Sequence, residues 1–351
     1  MVMNGTFTGP QGKNHVQGMA VDEKRGYIYF SFTTRLIKTT LTGAPVGSVT
    51  GLVGHLGCIC LDPADGRVYG SLEYKRDGIG KGILRSLGAK DVYTEGFYIA
   101  VFDTERITRQ EMDAETDGVM TAAFLPEVLA DYRGAGTDRA GRPVPHRCGC
   151  SGIDGVCLAP PPGAPEAERR LYVAYGIYGD TERDDNDHQI LLSYRTEALR
   201  AAAQPLRQET MHRCAPDQTP EKYFVFTGNT VYGVQNLAYD PDRDLIFMAV
   251  YAGKKPEYPN YDIFAADLKK PPQTAALRGL SETGAALTLW GAPEPESRTI
   301  AGWRHDCGQY GFCAAGNGAF YMAKPEETDG GEAARVYRYR FDPETGFTRC
   351  E

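Results

Sequence analysis

The stretch Lys13–Phe32, "KNHVQGMAVDEKRGYIYFSF", decides how this chain folds. A run of small apolar residues, Gly18–Val21, leads into a polar turn, Asp22–Gly26, and then into an aromatic and β-branched run from Tyr27. Such a pattern is a β-hairpin: apolar strands pack, while Asp and Gly supply the turn geometry. Two polar side chains, His15 and Gln17, stand directly before the first strand. The pattern returns as "GHLGCICLDPADGRVYGSLEY", Gly54–Tyr74. Aligned on Asp22 and Asp62, His55 takes the place of His15, and Gly57 that of Gln17.

Three further copies follow. "CSGIDGVCLAPPPGAPEAERRLYVAYGIYGD" from Cys150 puts Asp154 at the Gln17 position, and "YGVQNLAYDPDRDLIFMAVYAGK" from Tyr232 puts Gln235 there. "QYGFCAAGNGAFYMAKP" from Gln309 has a shorter turn. Each hairpin is followed by a third strand, such as "RLIKTTL" from Arg35, "FYIAVFD" ending at Asp103, "HQILLSY" from His188, "YDIFAAD" ending at Asp267 and "RVYRYRFD" ending at Asp342. A weaker fourth strand comes next, for instance "GSVTG" from Gly47 or "ALTLW" from Ala286. Four antiparallel strands repeated five times, without βαβ alternation, predict an all-β fold: a five-bladed β-propeller. It forms a single domain over residues 1–351, its blades beginning near residues 13, 54, 150, 232 and 309. The best helical signals, "TRQEMDAE" from Thr108 and "TEALRAAAQ" from Thr196, are excursions between strands. Ring closure is expected to pair the N-terminal "GTFTG" with the last blade, near "GFTRC". A six-bladed ring with one degenerate blade and a pair of β-sandwiches are the rival folds.

The 351 residues are 42% hydrophobic and 24% charged, with a net charge of −8. An acidic surface repels phosphate backbones, so no nucleic-acid partner is expected. The N-terminal "MVMNGTFTGPQGK" lacks the pattern of a secretory leader, and no apolar run is long enough for a bilayer, so no membrane partner is expected. The nine cysteines, an odd number, suit a reducing compartment. Together these readings predict a cytoplasmic protein, unless a leader was removed before this sequence begins.

In a propeller the first strand of each blade lines the channel and starts at the ligand-binding face. His15, Gln17, His55, Asp154 and Gln235 are therefore expected to converge on one funnel, with Gln309 and His305 at the same mouth. Imidazoles with amide and carboxylate oxygens suit a divalent cation such as zinc, manganese or calcium, so His15, Gln17, His55, Gln235 and His305 are the candidate metal ligands. The competing reading is a polar plug whose members satisfy one another and ordered water. Glu73, at a strand end, and Asp154 are the candidate acid and base; two carboxylates flanking a bond are what glycoside hydrolysis needs. Charged, tyrosine-rich loops between second and third strands add Lys75, Tyr175, Tyr178, Tyr251, Lys254, Lys255 and Tyr258 as candidate substrate-binding residues. The acidic "DDND" at Asp184–Asp187 reads as a solvated turn, and the "CGC" of Cys148 and Cys150 lacks the second ligand pair of a structural zinc site. Cys58, Cys60, Cys157 and Cys313 read as channel-side core, and Trp290 and Trp303 as packing between blades. No GxSxG or P-loop element occurs.

In "HVQGMAVDEKRGYIYF", "HLGCICLDPADGRVYG" and "VQNLAYDPDRDLIFMA" the chain resembles five-bladed β-propeller proteins at the level of fold. That superfold includes arabinan- and fructan-cleaving glycosidases, lectins and nucleotidases, several with a metal at the channel. Propeller-shaped uronate lyases with His and Gln metal ligands are a further analogy. The expectation is a metal-dependent, carbohydrate-active enzyme that cleaves a polar or acidic saccharide, a hydrolase rather than a lyase. The alternative is a non-catalytic glycan- or protein-binding propeller.

Overall fold

The computed structural model describes residues 2–90, 94–295 and 298–351. Five antiparallel sheets succeed one another along the chain, each beginning with an inner strand of small residues. Blade one comprises Gly18–Asp22, Tyr27–Phe32, Arg35–Thr40 and Pro45–Thr50. Blade two comprises His55–Leu61, Val68–Tyr74, Gly96–Phe102 and Met120–Phe124. Blade three comprises Cys150–Ala159, Arg170–Ile177, His188–Tyr194 and Glu221–Phe226. Thr230–Asp240, Leu245–Ala252 and Ile263–Asp267 build blade four. In blade five, Phe312–Gly316, Ala319–Thr328 and Gly331–Asp342 carry at their outer edge both Gly346–Arg349 and the N-terminal Thr6–Phe7. The predicted five-bladed propeller and its closure are thus present, with Thr6 opposite Val336 and Phe7 opposite Arg335.

The inner strands crowd the axis, and their composition follows from it. A Cβ on Gly18 would lie 2.7 Å from the Cys58 Cα of the next blade, and one on Gly57 would lie 2.6 Å from an Asp154 carboxylate oxygen. Second-strand serines tie neighbours together: Ser31 donates to the Gly57 carbonyl at 2.5 Å, and Ser71 to the Asp154 carbonyl at 2.6 Å. Aromatic side chains fill the wider gaps further out. Between blades four and five, Phe247 packs edge-on against Phe320, Phe341 and Phe347, with Trp290 and Trp303 stacked beside them. Each of the four buried phenylalanines contributes about 1.5–3 kcal/mol.

"TEALRAAAQ" is helical over Thr196–Ala202, but "TRQEMDAE" is not: Met112–Asp113 runs parallel to Pro45–Thr50 and widens blade one. Helices at Gly78–Leu87 and Pro126–Arg133 were not anticipated. "ALTLW" splits between two blades. Thr283–Leu287 adds in parallel to the edge of blade three, while Leu289 bridges Ala266 of blade four. Trp303 bridges Ile263, so short bridges rather than a continuous fourth strand edge that blade. The "DDND" turn is not solvated. Asp185 and Asp187 are buried, the first paired with Arg183 at 2.6 Å and the second with Lys255 at 2.6 Å. Among the described residues, no helix is long and apolar enough to cross a membrane.

Candidate active site

The funnel is built from blade two outward. Glu73, next to last in the second strand of that blade, stands opposite His55, so sheet register alone brings them together. His55 Nδ1 faces two carboxylates, Glu73 Oε1 at 3.4 Å and Asp154 Oδ1 at 3.6 Å. Asp154 arrives from blade three through the space left by Gly57, at a bulge between Ile153 and Val156. His55 and Asp154 keep 11% and 13% of their side-chain surface, so a ligand at the mouth can reach them, whereas Glu73 keeps 1%.

Glu73 is held from three sides. Lys75 Nζ lies 2.5 Å from Oε1, the Ile153 N–H donates to Oε2 at 3.0 Å, and His55 faces it. Gly152 makes the backbone donor possible: at φ 131° its backbone passes so close that a Cβ would meet Oε2. Lys75 also donates to the Ser151 carbonyl at 2.8 Å and lies 3.6 Å from Asp77. Asp77 in turn caps the helix Gly78–Leu87 through the Gly80 N–H and accepts from the Tyr178 hydroxyl at 3.0 Å. Lys75 follows the strand directly, two residues from Glu73, and extended backbone turns both side chains to one face, the signal by which the pair is recognisable in "EYK".

Charge follows from this packing. Burial alone would raise the Glu73 pKa, but the Lys75 ammonium and His55 outweigh it and keep the carboxyl below its usual range. Burial likewise works against a charged His55, yet Glu73 and Asp154 win and raise its pKa. For Asp154, burial pushes the pKa up to about 7; His55 opposes the rise and Glu73 adds to it. His15 is lowered, by burial and then by the neighbouring His55. A carboxyl able to carry a proton near neutrality therefore sits beside one whose pKa is lowered.

The opposite wall is aromatic. Tyr232 packs edge-on to Tyr251 at 6.1 Å between centroids, Tyr251 to Tyr310 at 6.0 Å, and Tyr310 to His15 at 5.7 Å. Amides lace the channel beneath. Gln17 Nε2 lies 3.2 Å from His15 Nε2 and donates to Thr33 at 3.1 Å. Gln235 donates to Asp154 at 3.3 Å, and Asn236 donates to the carbonyls of Gln17 and Gln309. To that extent the polar-plug reading describes the lower funnel.

Of the residues singled out from sequence, His15, Gln17, His55, Glu73, Lys75, Asp154, Gln235, Tyr178 and Tyr251 belong to this network. His305 does not: it packs on Tyr339 and Phe347 in the outer strands of blade five. Its neighbours Asp306 and Cys307 form with it a cluster of potential ligands that does not include the funnel imidazoles. Tyr175 is fully buried and donates to Asp131 at 2.7 Å. Lys255 and Tyr258 are committed to Asp187 at 2.6 and 2.7 Å, tying the blade-three and blade-four loops together. Lys254 is exposed, its backbone N–H donating to Asn229. The sequence reading missed Asp77, Tyr232, Tyr310 and Asn236, whose relevance comes from contacts across blades. At the other mouth a cavity of about 220 Å³ is lined by Cys60, Cys157 and Cys313, thiols that burial keeps protonated.

No protein-family model matches this chain, and no curated protein sequence matches it. Among solved structures it is similar to PorZ, "an essential bacterial surface component of the type-IX secretion system" of Porphyromonas gingivalis. The identity is 10% and the TM-score 0.35, over 92% of this chain and 32% of that one. The chain thus spans about a third of PorZ's length.

Proposed function

We propose that the funnel is an acid–base site that hydrolyses a neutral, hydroxyl-rich substrate, a saccharide. The observation that carries this reading is Asp154: a carboxyl raised to about 7, reachable from solvent, next to a His–Glu–Lys network that fixes its surroundings. Asp154 gives its proton to the departing oxygen as the glycosidic bond breaks. Water adds to the sugar carbon, and its proton passes to His15, which its lowered pKa keeps neutral. Glu73, buried between Lys75 and His55, does not touch the sugar; it orients His55. In the funnel Lys75 is neutralised by Glu73, and outside it Lys255 is taken up by Asp187, so a neutral substrate fits the funnel better than the acidic one expected from sequence. The test is a panel of neutral oligosaccharides assayed for new reducing ends. Asp154→Asn is expected to lower cleavage by about 10²-fold or more, and a variant as active as wild type ends the proposal.

A second reading puts a divalent cation in the funnel, favoured by the two imidazoles, His15 and His55, that share it. Against it, the Lys75 ammonium already supplies a positive charge to Glu73. Plasma mass spectrometry on protein purified without chelator or nickel distinguishes the two. The acid–base reading expects no stoichiometric metal and activity that survives EDTA. One equivalent of metal lost with His55→Ala supports the cation instead.

A further inference from the structure

The inner strand of blade four bears a conformational anomaly at its mouth. Tyr232 has φ 64°, in the left-handed region that a residue with a Cβ enters at a cost, and Gly233 follows at φ 70°. The pair forms a bulge between Val231 and Val234 in the pairing with Leu245–Ala252. Gly233 has a steric reason: a Cβ there would lie 2.6 Å from the Tyr175 carbonyl and the Ile177 nitrogen of blade three. Tyr232 has no such reason. The residue is 46% exposed, one of the few large apolar residues so exposed among the described residues, and it belongs to none of the buried clusters they form. Glycine would serve the backbone better, so what holds tyrosine there is the ring.

The backbone of Tyr232 is locked to the reactive carboxyl. Gln235 Nε2 donates both to Asp154 Oδ2, at 3.3 Å, and to the Tyr232 carbonyl, at 3.1 Å. A Cβ on Gly176 would stand 3.5 Å from each of the same two acceptors. One amide therefore fixes the position of the acid and of the tyrosine backbone together. The edge-on contact with Tyr251 steadies the ring while leaving much of it in solvent. An amphipathic ring face held at a fixed offset from a proton donor is a stacking surface for the apolar face of a pyranose or furanose.

We infer that Tyr232 is the platform of a separate sugar subsite, the one that receives the leaving-group side of the chain next to Asp154. The assignment rests on the saccharide reading of the funnel. It deepens that reading by requiring a substrate of at least two rings, one at the carboxylates and one on Tyr232. The strain at φ 64° is kept for the position of the ring.

The test separates this role from a structural one by reading stability and affinity on the same variants. Binding of cellohexaose, xylohexaose and 1,5-arabinohexaose is measured by titration calorimetry in an Asp154→Asn background, where no turnover intervenes. Tyr232→Gly is expected to raise the melting temperature or leave it unchanged, and to weaken binding of whichever hexaose binds by tenfold or more. Tyr232→Phe is expected to stay within about threefold of the parent, since stacking needs the ring and not the hydroxyl. If Tyr232→Gly binds as tightly as the parent, or melts several degrees lower, the platform is overturned while the saccharide reading stands. If the parent binds none of the three hexaoses and the unsubstituted protein cleaves none, the saccharide reading falls, and the subsite with it.

Discussion

Asp154 sets the behaviour with pH. Its folded pKa of about 7 exceeds the ordinary 3.8, so the folded protein holds a proton that the unfolded chain has released across that interval. The contribution of Asp154 to stability is fully present below the lower value and is lost as pH rises through about 7. A tenfold difference in proton affinity between the two states is worth about 1.4 kcal/mol. Asp154→Asn is expected to flatten the dependence between about pH 4 and 7 in urea titrations; an unchanged slope excludes Asp154 as its source. Activity is expected to fall above about pH 7, because the donor has then lost its proton. Lys75 makes the complementary prediction. Lys75→Met leaves the buried Glu73 charge only His55 and the Ile153 N–H for partners, and the expected cost is about 3–5 kcal/mol, read by denaturant unfolding. A variant within about 1 kcal/mol of wild type would mean that Glu73 takes up a proton or finds another partner.

At the scale of elements, the funnel depends on close approach between inner strands. Gly57 leaves the room that Asp154 fills, and Gly152 lets a backbone N–H reach Glu73. Gly152→Ala at φ 131°, with its Cβ driven into Oε2, is expected to destabilise by about 2–3 kcal/mol and to displace Glu73. Near-wild-type unfolding together with full activity would show that the loop relaxes around the methyl group. The inner strands were readable because crowding demands small residues and turns demand Asp and Gly. The helix Gly78–Leu87 was obscured by its glycines, and its Asp77 cap was not singled out. "TRQEMDAE" has the composition of a helix, but docking of Met112–Asp113 on a free strand edge overrode that propensity. Blade four shows the same competition, since the edge offered by Glu221–Phe226 captured Thr283–Leu287 first.

For the whole molecule, closure joins the two ends of the chain: Thr6–Phe7 and Gly346–Arg349 flank one strand of blade five. Deleting residues 1–8 exposes that edge and is expected to lower the melting temperature by about 5 °C or more, with loss of a single cooperative transition. An unchanged transition would place the closure energy in the interblade aromatic packing instead. Sequence by itself determined the number of blades, the strands that line the channel and the polar residues that stand at its mouth, because each is encoded in a local repeat of turn and strand. Which of those residues meet was decided by tertiary structure alone. His55, Glu73 and Asp154 converge whereas His305 lies among outer-strand aromatics, and Lys255 is consumed by Asp187. The reason is physical: a repeat specifies each strand's path, but charge pairing and ring stacking across blades depend on distances that no spacing within one blade records.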